Sequence, residues 1–204
     1  MPDEGIAADP TYWCRSWLHL LCGDNSMSSV MSPSTIVRMA SPDDAVQVGE
    51  AHASAWAEGY SGLFAPGVLT EAVSLRRSLW TYLFADPAFD FEGMLVAEQD
   101  GEVVGFSQFG RSNDGVTLGE VFAFYACPRV WGTGVSAAMM EATLATLQSP
   151  SLLSVMIWTH AGAARARAFY EKSGFALTGR ERIGTLAFGL EAPEVEYSSS
   201  VDVV

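Results

Sequence analysis

The sequence predicts an α+β domain, and its hydrophobic pattern supports this fold class in three ways. Between residues 46 and 84 the apolar residues recur at helical spacing. From Gly93 onwards they form the short runs and alternations typical of strands. An Asp-Gly pair at 100–101 separates two such runs, which is a strong β-hairpin signal. The elements are predicted in the order β-α-α-β-β-β-α-β-α-β-β.

The first part of this order is one strand followed by two helices. Residues 35–39 alternate as a strand, and the motif Ser-Pro-Asp-Asp at 41–44 is typical of a capped helix start. That helix is expected to continue to about Tyr60, where the segment 62–67 with its glycines breaks the pattern. A second helix is predicted at 70–84, with an apolar stripe formed by Val73, Leu75, Leu79 and Leu83.

The second part contains most of the predicted strands. Strands at 94–98 and 103–107 flank the hairpin turn, and a third follows at 117–126. The run 154–159 is almost fully apolar, as expected of a central buried strand. The other predicted elements are helices at about 134–148 and 163–172, the latter capped by Gly174, and strands at 175–183 and 194–198.

The composition limits the classes of function. The 204 residues suffice for one domain with a core, and 49% apolar and 17% charged residues are typical of a folded globular protein. The net charge of -13 argues against a nucleic-acid partner, since phosphate contacts need clustered Lys and Arg. It is compatible with a cationic partner such as an amine, although acidic surfaces often serve only solubility.

The cysteines and the N-terminal region bear on the compartment. The three cysteines lack zinc-ligand spacing, which predicts a reduced, cytoplasmic protein without a metal site. The apolar stretch 12–22 is about half as long as a membrane span, so no membrane segment is predicted. Residues 1–34 are predicted to be a disordered extension, 35–199 the domain and 200–204 a tail.

A glycine-containing segment joins the third central strand to the next helix. It reads Ala-Cys-Pro-Arg-Val-Trp-Gly-Thr-Gly-Val-Ser over 126–136. Unpaired N–H groups at a helix start, with glycines that allow close approach, form an anion site, although a plain tight turn would use the same residues. The pattern stops at Gly132-x-Gly134, which disfavours a dinucleotide fold, and no Gly-Lys-Ser/Thr follows, which excludes a P-loop.

Taken in order, these elements resemble the GCN5-related N-acetyltransferase (GNAT) family over about residues 35–198. The family's cofactor loop reads Gln/Arg-x-x-Gly-x-Gly/Ala after a strand and a proline. Here Pro128 precedes the segment 131–136, whose first and last residues differ from the preferred ones. A shifted frame starting at Arg129 fits the letters better and the proline spacing worse. The run Ala-x-x-Phe-Tyr-Glu-Lys-x-Gly-Phe at 166–175 is similar to the family's second cofactor motif.

The resemblance implies three layers, α/β/α, with a mixed, mostly antiparallel sheet of about six or seven strands flanked by about four helices. It also implies acetyl-CoA as cosubstrate and direct acetyl transfer to a primary amine of a small molecule or a peptide. The residues implied in binding acetyl-CoA are Phe124, Tyr125, Ala126, Trp131, Gly132, Thr133, Gly134, Val135, Ser136, Ala163 and Arg167. The family often has Asn where this chain has Ala163.

The resemblance also implies roles in catalysis. Glu120, on the strand that ends at the loop, would be the general base through a water, and Tyr170 would protonate the leaving thiolate. The alternatives are an edge carboxylate and a core aromatic. Trp56 and Tyr60 match the Trp-x-x-x-Tyr-x-Gly-Leu stretch that borders the acceptor cleft in many members, or they staple the helix to the sheet.

A second class of function stays open, in which the same fold retains acetyl-CoA as a sensor without turnover. Ala163 in place of Asn favours the sensor, whereas Glu120 and Tyr170 favour the enzyme. A longer acyl donor is also open, because the pyrophosphate loop does not touch the acyl group. Dimers are common in the family, so a homodimer is an open expectation, and the sequence does not identify the amine.

Overall fold

The strands and helices follow one another in the predicted order. The computed structural model describes residues 34–149, 151–185 and 190–200, so the predicted extension and tail lie outside them except for Ser34 and Ser200. The strands are β1 (Thr35–Met39), β2 (Met94–Gln99), β3 (Glu102–Arg111), β4 (Leu118–Ala126), β5 (Ser154–His160), β6 (Ala176–Thr185) and β7 (Glu191–Ser200). The α-helices are α1 (Ala45–Gly59), α2 (Pro66–Phe84), α3 (Val135–Leu147) and α4 (Ala164–Lys172), with short 3-10 turns at Pro42–Asp44 and Pro128–Val130.

The strands form one mixed sheet in the order β1-β2-β3-β4-β5-β7-β6. Neighbouring strands run antiparallel except β4 and β5, which are parallel. Asp100 and Gly101, which join β2 to β3, have φ of 53° and 81°. A two-residue type I′ turn requires such positive values, so the predicted hairpin is confirmed. The predicted α+β class and the mostly antiparallel sheet are confirmed as well.

The helices cover both faces of the sheet. On one face Val48 of α1 and Trp80 of α2 pack in one cluster with Val96 of β2. On the other face Met139 of α3 packs against β2 and β3. Tyr170 of α4 joins a cluster with residues of β5 and β7. This arrangement is the three-layer α/β/α fold that the resemblance implies.

Helix α2 differs from the prediction in its start and in its buried face. It begins at Pro66 rather than at residue 70, because proline at the first helical position sacrifices no intrahelical hydrogen bond. The predicted stripe of Val73, Leu75, Leu79 and Leu83 is only half-buried. The buried side chains are those of Ala72, Arg76, Trp80 and Phe84. A prediction from hydrophobic periodicity places Arg76 on the solvent side of the helix. The predicted apolar stripe was therefore shifted away from the face that is buried.

Strands β4 and β5 separate before either strand ends. They pair from Leu118 with Ser154 to Val121 with Ile157. Beyond this point β4 continues to Ala126 and β5 to His160, but the two strands no longer pair with each other. The β3–β4 ladder shifts register at the same place, so that Phe122 has no partner on β3. Such a bulge bends a strand away from its neighbour. The result is a gap between the carboxyl ends of β4 and β5.

Candidate active site

Main-chain groups of β4 line this gap. The N–H of Cys127 donates to the carbonyl of Val104 on β3 at 2.7 Å, and the carbonyl of Tyr125 also faces β3. Since main-chain groups alternate along an antiparallel strand, those of Phe124 and Ala126 point into the gap. The main-chain groups of Tyr125 are directed to β3. Its side chain packs instead with the cluster between the sheet and α1–α2.

The glycine loop lies where β4 leads to α3. Gly132 and Gly134 have φ of 77° and 96°, in the left-handed region that favours glycine. A Cβ atom added to either glycine would have no heavy atom within 4 Å, apart from those of its neighbours in the chain. The N–H of Ala138 donates to the Gly134 carbonyl at 3.0 Å. The N–H groups of residues 135–137, which include buried Val135 and half-buried Ser136, therefore have no acceptor within the helix.

Trp131, which stands where the family prefers Gln or Arg, ties the loop to the strand. Its Nε1–H donates to the carbonyl of Ala126 at 2.8 Å. The guanidinium of Arg165 on α4 lies over its ring, 4.3 Å from the centroid. The hydroxyl of Thr133 donates to the carbonyl of Val130 at 2.8 Å. These side-chain contacts stabilise the turn between β4 and α3.

The predicted cofactor contacts on α4 are largely engaged within the protein. Ala163 caps the helix without a side-chain bond. Its N–H donates to the carbonyl of His160 at 2.9 Å, and its carbonyl accepts from the Arg167 N–H at 3.0 Å. The Arg167 guanidinium donates to the Tyr197 hydroxyl at 3.1 Å and to the Ala161 carbonyl at 2.9 Å. What remains for a ligand is the methyl group of Ala163 and the second terminal nitrogen of Arg167.

The phenols of Tyr60 (just after α1), Tyr125 (on β4) and Tyr170 (on α4) interact electrostatically. Tyr170 is 4% exposed, and burial raises its pKa, with a further increase from Tyr125. The pKa of Tyr60, just after α1, is also raised, first by burial and then by Tyr125 and Tyr170. Because burial disfavours the phenolate, Tyr60 and Tyr170 stay protonated at neutral pH and can donate a hydrogen bond.

Glu120 lies where β4 still pairs with β5. Its neighbour Val121 packs on the α3 side of the sheet. Glu120 therefore projects to the α1–α2 side, as Tyr125 does. The hydroxyl of Ser112 donates to Glu120 Oε2 at 2.9 Å. The Cα atoms of Glu120 and Tyr125 are about 17 Å apart in an extended strand, so the substrate or a chain of waters would have to bridge Glu120 and the phenols.

The predicted acceptor residues belong to an aromatic stack. Trp56 is 0% exposed, and the half-buried Tyr60 lies on it with 4.1 Å between ring centroids. Phe64 extends the stack, and the ring of His160 meets both Tyr60 and Phe64 edge-on. Trp56 therefore supports the stack from below, as the staple alternative predicts. Tyr60 and Phe64, which are both half-buried, are the members able to contact an acceptor.

Other candidate features of the described residues are less prominent. No group of three or more His, Cys, Asp or Glu side chains in these ranges is arranged to hold a metal ion. None of the helices within 34–149, 151–185 and 190–200 is long and apolar enough to cross a membrane. Cys127 is a half-buried free thiol, and burial raises its pKa. A raised pKa disfavours the thiolate, so Cys127 is a poor nucleophile at neutral pH.

Comparison with known proteins agrees with this geometry. The family model described as "Acetyltransferase (GNAT) family" matches residues 55–175. This span contains the gap, the glycine loop and the cluster of phenols. The chain belongs to the GNAT acetyltransferase family. Its reaction class is therefore acyl transfer.

Relatives of this acetyltransferase carry related names. The "Probable N-acetyltransferase" of Mycobacterium tuberculosis is 26% identical over 170 residues, which cover 82% of this chain and 95% of that protein. A mycothiol acetyltransferase of Streptomyces griseus is 34% identical over 91 residues, or 45% of this chain. The matched region spans 29% of that longer protein. The second similarity thus concerns one part of a larger protein.

Solved structures of GNAT proteins share the fold. PaiA N-acetyltransferase from Thermoplasma acidophilum, in complex with coenzyme A, superposes with a TM-score of 0.63 at 14% identity, over 82% of this chain and 99% of that one. A GCN5-related N-acetyltransferase from Rhodopseudomonas palustris superposes with a TM-score of 0.63 at 16% identity, over 83% and 98%. At these identities the likeness concerns the fold alone, and it confirms the predicted GNAT fold.

The site of this acetyltransferase also contains residues that the sequence pattern did not single out. They are Arg76 on α2 and His52 on α1. Arg76 is 5% exposed and falls in the buried stripe of α2, four residues before Trp80. In the sequence, Arg76 stands at helical spacing from residues that are buried in the structure. Since unpaired buried arginines are rare, such a position could have marked Arg76 as a candidate functional residue. Nothing comparable marks His52.

Proposed function

We propose that this GNAT protein transfers an acetyl group from acetyl-CoA directly to a primary amine of a small molecule or a peptide. The observation that carries the proposal is the gap between β4 and β5, with the glycine loop at its mouth. The loop supplies donors for a diphosphate, and the gap supplies main-chain groups for an extended chain leading to the reaction centre. The names of the relatives support nitrogen as the acceptor atom.

The residues of the loop fit the diphosphate of coenzyme A. The N–H groups of residues 135–137 lack acceptors within α3, and the helix dipole favours negative charge at the same point. The Cβ positions of Gly132 and Gly134 are open, so a phosphate can approach the backbone closely. When bound, acetyl-CoA supplies an activated acyl group as a thioester. The inward-facing N–H groups of Phe124 and Ala126 would stabilise negative charge on the acyl oxygen.

Tyr170 is proposed as the residue that protonates the leaving thiolate. Burial raises its pKa, so its proton is present throughout the neutral range. Tyr125, on the strand that lines the gap, adds to this rise in the pKa of Tyr170. Positioned proton donors of this kind contribute about 100- to 10,000-fold to rate.

Glu120 is proposed as the general base, acting through a water. An amine with a pKa of about 10.4 must lose a proton before it attacks, and at pH 7 this costs roughly 4.6 kcal/mol. A carboxylate that accepts that proton through a relay lowers this barrier. Its bond to Ser112 fixes one oxygen and leaves the other for the relay. Tyr60, supported by Trp56, is proposed to contact the acceptor.

Thiol release with acetyl-CoA and a panel of amines tests this function. We expect turnover with at least one amine, and we expect Tyr170→Phe to lower kcat about 100-fold while the Kd for coenzyme A stays the same. Tyr82→Phe is the matched control, because Tyr82 is 76% exposed on α2 and should change neither. Comparing acetyl-CoA with longer acyl-CoA donors identifies the acyl group.

The sensor alternative predicts a different result. Ala163 lacks the side-chain contact that the family's Asn would provide, which is the observation in favour of a binding module. A sensor would be stabilised against heat by acetyl-CoA, would release no thiol with any amine, and would be unaffected by Tyr170→Phe. That combination of results would replace the enzyme by the sensor.

A further inference from the structure

Arg76 is a buried cation without an anionic partner. Its side chain on α2 packs against Trp56 of α1 and is 5% exposed. One terminal nitrogen donates to the carbonyl of Ala72 at 3.0 Å, whereas the Nε–H has no acceptor. Among the described residues, no carboxylate lies within ion-pair distance of it. A buried charge is costly unless it is paired.

The surroundings of Arg76 belong to the acceptor side of the active site. Its guanidinium lies over the ring of Trp56, 3.1 Å from the centroid. Burial lowers the pKa of Arg76 to about 10, and the phenols of Tyr125 and Tyr60 partly oppose this effect. Tyr60 lies on the same Trp56 ring, with 4.1 Å between the two ring centroids. The cation is therefore adjacent to the place where an acceptor would bind.

The unpaired buried groups around Arg76 are all hydrogen-bond donors. The indole N–H of Trp56 lacks a partner, and so does Nε2 of His52. Nδ1 of His52 accepts from the indole of Trp80 at 2.9 Å, so the proton of the neutral ring is on Nε2. Burial lowers the pKa of His52 and keeps the ring neutral. The buried region around Arg76 thus contains several N–H groups without acceptors and one positive charge without a counter-ion among the described residues.

A carboxylate is the ligand group that best satisfies this set. The guanidinium fork matches the planar carboxylate with parallel N–H bonds, and a carboxylate offers further lone pairs to neighbouring donors. The net charge of -13 does not oppose such binding, because charges more than about 8 Å away are largely screened at physiological salt. The half-buried ring of Tyr60 suits the apolar part of the same molecule.

Resting on the proposed function, we propose that the amine acceptor carries a carboxylate that binds the Arg76 guanidinium, as an α-amino acid does. The carboxylate anchors the acceptor among Tyr60, Tyr125 and Arg76, and its amino group is directed toward the gap. Arg76 acts as a specificity-determining residue and takes no part in proton transfer.

Matched substrates test the proposal. For phenylalanine and for methionine, kcat/KM is compared among the amino acid, its amide and its decarboxylated amine. We expect the wild-type protein to prefer the carboxylate form by about 10- to 100-fold, as for a charge-assisted bond. Arg76→Gln should abolish this preference through KM, and Arg76→Lys should retain part of it because the charge remains without the fork. Arg77→Gln is the control, since Arg77 is exposed and pairs with Glu50.

The outcomes separate this proposal from the proposed function. Circular dichroism and the Kd for coenzyme A establish that each variant folds and binds its donor. Equal use of amide, amine and amino acid by the wild-type protein overturns the proposal, as does a preference that survives Arg76→Gln. If no amine is acetylated, the proposed function fails. In that case titration with N-acetylphenylalanine tests the anion site. Binding by the wild-type protein but not by Arg76→Gln supports the proposal, and absence of binding overturns it.

Discussion

Replacing Gly132 or Gly134 with alanine separates the loop's part in binding from its part in folding. Both have φ in the left-handed region, 77° and 96°, where a residue with a side chain costs about 1–2 kcal/mol. The open Cβ positions mean that the added methyl meets no other part of the protein. Each variant should lose about 1–2 kcal/mol of unfolding free energy, which lowers the Tm of a domain of this size by roughly 2–8 °C.

The effect on coenzyme A should be larger and specific to these positions. The methyl group would project into the space where the diphosphate approaches the main chain. Loss of one charge-assisted hydrogen bond costs about 1.5–3 kcal/mol, or roughly 10- to 100-fold in Kd. Gly179→Ala on edge strand β6 is the matched control, because Gly179 has φ of 85° and an equally open Cβ position. It should lose similar stability and keep its affinity.

Urea unfolding gives the free energy of unfolding for these variants, and isothermal titration with coenzyme A gives the Kd. The reasoning would be refuted if all of them lost stability equally and still bound coenzyme A as tightly as the wild type. The loop would then be an ordinary turn between strand and helix.

Other predictions follow from single side chains. Trp131→Phe removes the bond to the Ala126 carbonyl, so unfolding free energy should fall by about 0.5–1.5 kcal/mol and the Kd for coenzyme A should rise several-fold; unchanged values in urea unfolding and titration contradict this. Glu120→Gln should lower kcat about 100-fold at pH 7 without changing that Kd, and an unaltered kcat removes Glu120 from the mechanism. Burial lowers the pKa of His52 well below 6.5, so below about pH 6.5 the unfolded chain binds a proton that the folded chain does not. Unfolding free energy should then fall by about 1.4 kcal/mol per pH unit, and His52→Asn, which retains an acceptor for Trp80, should reduce the slope between pH 7.5 and 5.5.

The fold could be predicted largely because its signals are local. The Ser41–Asp44 motif forms the expected capping box, and the Asp-Gly hairpin turns where the sequence indicates. Strand and helix periods depend on residues a few positions apart, so they persist in the sequence without knowledge of partners. The start of α2 and its buried face were misplaced, because which side of a helix is covered depends on the element that packs against it.

The candidate site was predictable only in part. The glycines at 132 and 134 stand out because positive φ restricts the residue type. Arg167 was expected at the cofactor, but its guanidinium bonds to Tyr197, thirty positions away in the sequence. Such long-range partners have no periodic signature.

The sequence by itself determined the order of the elements, the glycine loop and the resemblance to GNAT proteins, since each depends on local spacing and residue type. Only the tertiary structure decided where β4 leaves β5, and that Arg76 lies buried without a counter-charge among the residues that the structure describes. These features arise when distant segments pack together, because burial and pairing are properties of the surroundings of a side chain.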